Sequence, residues 1–340
     1  MDCSAIRIFL VIIYEAWKTR GRSDGRVMQF GLQHPNFSFD GKGPQIVDSL
    51  RTIATQAERS GYDSFWVMDH FHQIQGVGDP QQPMLEGWTT LAVVAGFTSK
   101  IKLGTLVTGN VYRHPSILAK IGATLDVLSK GRLFMGIGAA WNQEESTAYG
   151  VPFPSTKERF GRLEEAVQII RGMWTQDRTT FNGRFYQIRE AYCNPKPVQK
   201  PHPPIMVGGG GERETLRIVA KYADACNIFG SPETVRRKLD TLRRHCKSVG
   251  RDYDSILKTK LGHVIIGTDK RKVEHTVAET LGSMSEQRLR EWATFGEPDQ
   301  VRRQIETFRD AGVDYFIGNF EADQELEATA LFADEVVRKL

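Results

Sequence analysis

Gly208, Gly209, Gly210 and Gly211 follow a short apolar strand, Ile205–Val207, and open a helix at Glu212. Bare backbone amides at a helix N-terminus suit a phosphate, because the helix dipole is positive there and no side chain obstructs approach. The competing reading is a tight turn that requires positive φ, which seldom needs four glycines in succession. Asp69, His70 and His72 end another strand in the run WVMDHFH. A histidine at such a point can reach a ligand and exchange protons near neutral pH, or it can simply hydrogen-bond a neighbouring loop. His70-x-His72 also has the spacing of paired metal ligands. A metal-dependent barrel hydrolase would need further ligands on later strands, whereas His263 lies inside a strand and Asp314 stands at the wrong end of the last one. No metal site is therefore expected. Trp141 and Asn142, just past a fourth strand, could line a planar ring, or the tryptophan could be rim packing. Glu144 and Glu145 read first as N-terminal helix charges and second as acid–base groups. Arg113-His114-Pro115 could bind an anion or cap the helix that starts near Ser116.

The elements that must position these residues alternate between strand and helix. Residues 101–142 show the unit most clearly. The strand Ile101–Val107 ends in Thr108, Gly109 and Asn110. A helix follows with Leu118, Ile121, Leu125 and Leu128 at helical spacing, and the strand Arg132–Ile137 ends in Gly138, Ala139, Ala140, Trp141 and Asn142. Such a unit forms a right-handed parallel crossover, and parallel α/β folds bind ligands at the carboxyl ends of their strands. The remaining strands are Gln29–Gln33, Ser64–Met68, Ile205–Val207, Asp224–Phe229, Lys258–Ile266 and Val313–Ile317, with a closing helix to Leu340. Ser155 and Glu158 form a capping box before a helix carrying Phe160, Leu163, Val167 and Ile170. Asn182-Gly183 between β-rich flanks predicts a hairpin outside the main sheet. Eight strands separated by helices predict a (β/α)₈ TIM barrel with insertions. The rival doubly wound sheet lacks its GxGxxG fingerprint on the first turn.

The bulk properties narrow the function. Hydrophobic residues make up 40% of the 340 and charged residues 25%, with a formal charge of +4. That balance belongs to a globular protein with a sizeable core, and it favours neither nucleic acid nor a coiled coil. Cys3, Cys193, Cys226 and Cys246 form no CxxC pair, which fits a reducing, cytoplasmic location. The apolar run Ile6–Ile13 is too short to span a bilayer and lacks a convincing cleavage site after it. Residues 1–27 are expected to lie upstream of a single domain covering 28–340, because Met28 directly precedes the first convincing strand.

In order along the chain, MQFGLQHPNF, DSFWVMDHF, LGTLVTGNVYRHP, LDVLSKGRLFMGIGAAWN, YGVPFP, PPIMVGGGGERETLRIVAKYADACN and AGVDYF resemble the bacterial luciferase-like monooxygenase superfamily. Within it they resemble the branch of oxidoreductases that use the deazaflavin coenzyme F420. The resemblance implies a flavin-type ring at the C-terminal mouth of the barrel, with Asp69 and His70 beside it and His70 as the catalytic proton donor or acceptor. It implies a non-proline cis peptide at Leu106-Val107, where a bulge with Thr108 supports the ring from behind. Ala139, Ala140, Trp141 and Asn142 would border the ring, and Gly208, Gly209, Gly210 and Gly211 would hold the phosphate. The sugar-phosphate dehydrogenases of this branch carry a catalytic glutamate where this chain has Trp141, so glucose-6-phosphate is not the expected substrate, and Glu144 is a weak substitute. The alternatives are an FMN-dependent monooxygenase on the same fold and a non-catalytic flavin-binding barrel. The expected partner is a small-molecule substrate. The sequence leaves a homodimer open, and nucleic acid and membrane are not expected.

Overall fold

The computed structural model describes residues 28–38, 43–281, 285, 289, 291–321 and 325–340, so the expected 1–27 extension lies outside the described residues. Eight parallel strands close on themselves: β1 (Gln29–His34), β2 (Ser64–Val67), β3 (Lys102–Thr105), β4 (Leu133–Gly138), β5 (Ile205–Gly208), β6 (Ala225–Ile228), β7 (Leu257–Ile266) and β8 (Tyr315–Phe320). Neighbours pair in the order β7-β8-β1-β2-β3-β4-β5-β6, and β6 pairs with β7 to complete the circle. The register runs in step around the barrel; Gly31, for example, faces Ser64 on one side and Ile317 on the other. Nearly every strand residue is buried, because the interior covers one face and the helices the other. Trp66, Leu106, Phe134, Met206, Ala225, Tyr315 and Ile317 plug the interior below the mouth. A much larger apolar layer joins the outside of the barrel to its helices.

The expected architecture is present, with local corrections. The Asn182-Gly183 hairpin forms a separate two-stranded sheet, Thr179–Asn182 against Gln187–Ala191. The helix after the glycine run begins at Thr215, three residues beyond Glu212, and ends at Tyr222. Ser155 caps its helix through a bond from the Glu158 amide, but the Glu158 carboxylate turns to Arg162 instead of closing the box. Leu128, expected on the buried face of its helix, is exposed at the helix end. The closing helix runs Glu325–Phe332 and then widens into a π turn, Ala333–Val337, rather than continuing to Leu340. The segment before the last barrel strand holds the helix Lys270–Leu281 and a short strand, Ala293–Gly296, that adds to β7 outside the circle. β8 itself runs to Phe320, three residues past the expected end at Ile317. Cys193, Cys226 and Cys246 are buried free thiols.

Candidate active site

A cavity of about 470 Å³ opens at the carboxyl ends of the strands. Its floor is shaped by one side chain. The Leu106-Val107 peptide is cis, as the resemblance implied, and Val107 projects toward β4 and β5. A Cβ on Gly138 would lie 2.8 Å from Val107, and one on Gly208 would lie 2.7 Å from it. Glycine at these positions leaves the room that the valine fills, so three segments distant in sequence together build one apolar ledge.

His70 lines the cavity at the end of β2, as expected. Its Nδ1 lies 2.7 Å from Oε2 of Glu145, a carboxylate with no exposed surface. Tyr112 donates its hydroxyl to the same oxygen at 2.6 Å, and the Phe71 backbone N–H donates to Oε1. Burial alone would raise the Glu145 carboxyl, but the bonds from His70, Tyr112 and Phe71 outweigh it and hold the group below its ordinary range. An ionised Glu145 can only accept, so His70 carries a hydrogen on Nδ1, and in the neutral ring Nε2 is then the proton acceptor. Glu144 and Glu145 stand in the first turn of the short helix Gln143–Ala148, as expected, but the Glu145 side chain also turns inward to His70. Asn142 explains the geometry. Its Oδ1 accepts from the Glu145 N–H at 3.2 Å, capping that helix, and Asn142 is not on the cavity wall. Trp141 is on the wall, 62% exposed, with its ring edge-to-face with His70 at 5.6 Å. Glu144 does not line the cavity.

Asp69 is buried at the cavity wall and is gripped by Arg113 through two bonds of 2.6 and 3.0 Å. Burial raises the Asp69 carboxyl above its ordinary value, and the guanidinium opposes that rise. Arg113 also reaches Glu86, whose carboxylate caps the helix Gly87–Phe97. Arg113 is therefore a structural fork, while His114 caps the helix Pro115–Leu128, which answers the question left open for this tripeptide. Thr108 lies behind the wall, accepting from the Trp88 indole at 2.9 Å and bonded to Thr105 at 2.8 Å. Ala139 and Ala140 line the cavity, with Ala140 left-handed at φ 59°. Arg159, from the helix Thr156–Thr175, holds that turn by donating to both alanine carbonyls.

Gly208, Gly209, Gly210 and Gly211 all line the opposite part of the cavity. Gly209 has φ 120°, which only glycine adopts without strain, and its N–H donates to the Asn227 carbonyl. A Cβ on Gly210 would come 2.5 Å from Nζ of Lys238, a residue of the helix Pro232–Ser248. The helix that follows the run has no side-chain cap on its first amides. Bare amides, a positive helix end and a lysine beside them suit a phosphate, and the small-walled ledge across from them suits a flat ring. The residues present therefore fit a phosphate-bearing flavin-type group.

Sequence reasoning did not single out Tyr112, Arg159 or Lys238, nor Gln33, Asn319 and Trp292, which also line the cavity. Among the described residues no group of three or more His, Cys, Asp or Glu could hold a metal ion. His72 turns away to the Gln73 carbonyl at 3.0 Å. No described helix is long and apolar enough to cross a membrane.

The profile of the luciferase-like monooxygenases matches residues 28–288. An F420-dependent glucose-6-phosphate dehydrogenase of Kineococcus radiotolerans is 41% identical over 175 residues, a match spanning 51% of this chain and 49% of that protein. One from Amycolatopsis mediterranei is 26% identical over 322 residues, 86% of this chain and 94% of its own length. An FMNH(2)-dependent dimethylsulfone monooxygenase of Pseudomonas putida is 27% identical over 312 residues, covering 82% and 84%. The solved coenzyme F420-dependent tetrahydromethanopterin reductase of Methanopyrus kandleri superposes with a TM-score of 0.75 at 20% identity, covering 92% of this chain and 99% of that one, which establishes the likeness of fold. With the profile matching from the first barrel strand through most of the domain, the chain belongs to the luciferase-like monooxygenase family.

Proposed function

We propose that the chain is an oxidoreductase that exchanges a hydride between deazaflavin coenzyme F420 and a small organic substrate. The observation that carries this reading is His70 held on a buried Glu145, with Nε2 free at a cavity whose other side is a bare glycine cradle. The deazaflavin, when bound, supplies or accepts the hydride. The chain's own part is to anchor and to manage protons. Gly208–Gly211 and Lys238 would hold the phosphate, and Val107, Ala139 and Ala140 would border the ring. Nε2 of His70 would take a proton from an alcohol, or return one to a carbonyl, while Glu145 stabilises the imidazolium that forms. Relatives named for F420 support this choice of cofactor. Trp141 at the place of the expected glutamate argues against glucose-6-phosphate as the substrate.

An FMN-dependent monooxygenase is the second reading, favoured by the relative from Pseudomonas putida. The test is turnover of reduced F420 with a panel of ketones, activated enones and nitroarenes, and of oxidised F420 with secondary alcohols. Substrate-dependent change in F420 absorbance is expected. Turnover only with reduced FMN and oxygen would refute the proposal.

A further inference from the structure

The half of the mouth opposite the glycine cradle has its own polar wall. In the barrel order, β8 stands across from β4, and β7, β8 and β1 form a continuous arc that meets His70 at β2. Along this arc a chain of hydrogen bonds has only one consistent direction. The Leu106 carbonyl must accept, so Gln33 turns its Nε2 toward it at 3.3 Å. That leaves Gln33 Oε1 to accept from Asn319 Nδ2 at 3.0 Å. Asn319 Oδ1 therefore faces Nδ1 of His263, 2.8 Å away, which must donate. On the far side of the ring, Nε2 lies 2.8 Å from the Glu321 carboxylate, so it donates as well. His263 thus donates from both ring nitrogens, and the Trp292 ring stacks on its face at 4.5 Å. The bond from His263 holds the Glu321 carboxyl below its ordinary value. Gln33, Asn319 and His263 are all more than nine-tenths buried. Each amide nitrogen has two hydrogens, and this chain of bonds uses one of each.

We infer that this arc holds an oxygen of the substrate, with the remaining Asn319 N–H as donor and His263 with Glu321 as the pair that fixes its orientation. The substrate class that follows is a small molecule bearing a carbonyl or hydroxyl oxygen at the reacting end. The inference rests on the proposed redox reading for what happens next, but not for the binding itself. Burying an amide N–H against an apolar ligand leaves it unpaired, so the wall discriminates against ligands without an acceptor.

The test uses the full chain without cofactor and two probes of the same shape, cyclohexanone and methylenecyclohexane, followed by NMR. Cyclohexanone should shift the Trp292 indole N–H and bind at least about fivefold tighter than methylenecyclohexane. Asn319→Leu should bring the two within about twofold. If that variant does not fold, Asn319→Asp, which keeps the shape and removes the donors, should do the same. In the wild type, the nitrogen shifts of His263 should show a hydrogen on Nδ1. No preference for the ketone, no binding of it, a preference that survives loss of the donor, or a His263 without hydrogen on Nδ1 would each overturn the inference. A chain that discriminates the ketone yet turns over no F420 would refute the redox reading alone.

Discussion

Glu145→Gln keeps the size of a side chain that accepts from four groups and removes its charge. Oε1 accepts from the backbone N–H groups of Phe71 and, at 3.4 Å, His72, while Oε2 accepts from His70 and Tyr112. The two backbone donors cannot become acceptors, so the amide oxygen must stay on their side and the NH₂ must face His70 and Tyr112. His70 then has to accept on Nδ1, which moves its hydrogen to Nε2 and turns a proton acceptor into a donor at the cavity. Loss of charge-assisted bonds at a carboxylate with no exposed surface should cost roughly 2–3 kcal/mol of stability. Wrong-tautomer histidine should lower turnover by about 10²–10⁴-fold. The most direct assay is the long-range ¹H–¹⁵N spectrum of the histidine rings: wild-type His70 should show Nδ1–H, and the variant Nε2–H. Unchanged tautomer in the folded variant would refute the reasoning, whatever the activity.

Because the Glu145 carboxyl lies below its ordinary value in the folded chain, its contribution is present above the unfolded carboxyl pKa and is lost as pH falls through the folded one. The stability gap between wild type and Glu145→Gln, measured by urea unfolding, should stay constant above about pH 5 and close in more acid solution; a gap that widens there would contradict the linkage. Gly136→Ala would place a Cβ inside the Thr105 carbonyl oxygen, a backbone atom, and should cost at least ~3 kcal/mol; a wild-type denaturation midpoint would show that the ledge can shift freely. Arg113→Lys loses the two-pronged grip on the buried Asp69 and should destabilise by about 2–4 kcal/mol in the same assay, with an unchanged midpoint counting against the fork. Gly210→Val and Lys238→Met should each weaken F420 binding about tenfold or more by calorimetry, and unchanged affinity would place the phosphate elsewhere.

The barrel was legible because each unit carried its own periodicity and its own terminating turn. The glycine run and His70 were legible for a related reason, since strand ends point to the mouth. What the sequence hid was pairing at a distance. Glu145 is a helix-end charge, as read, but nothing in the chain shows that a site 75 positions earlier folds beside it. Asn319 was missed because the last strand was ended at Ile317, and the alternation of Tyr315, Ile317 and Asn319 into the interior could have found it. Lys238 and Arg159 approach from helices rather than from the strand ends that point to the mouth. Gly138 and Gly208 have meaning only once Val107 is seen between them.

The most direct measurement of the central claim is a titration of the purified chain with F420 and with FMN, read by fluorescence and repeated with His70→Ala. The account predicts saturable binding of F420 at a clear advantage over FMN, retained in His70→Ala while turnover is lost. Tight binding of FMN with no binding of F420 would contradict it.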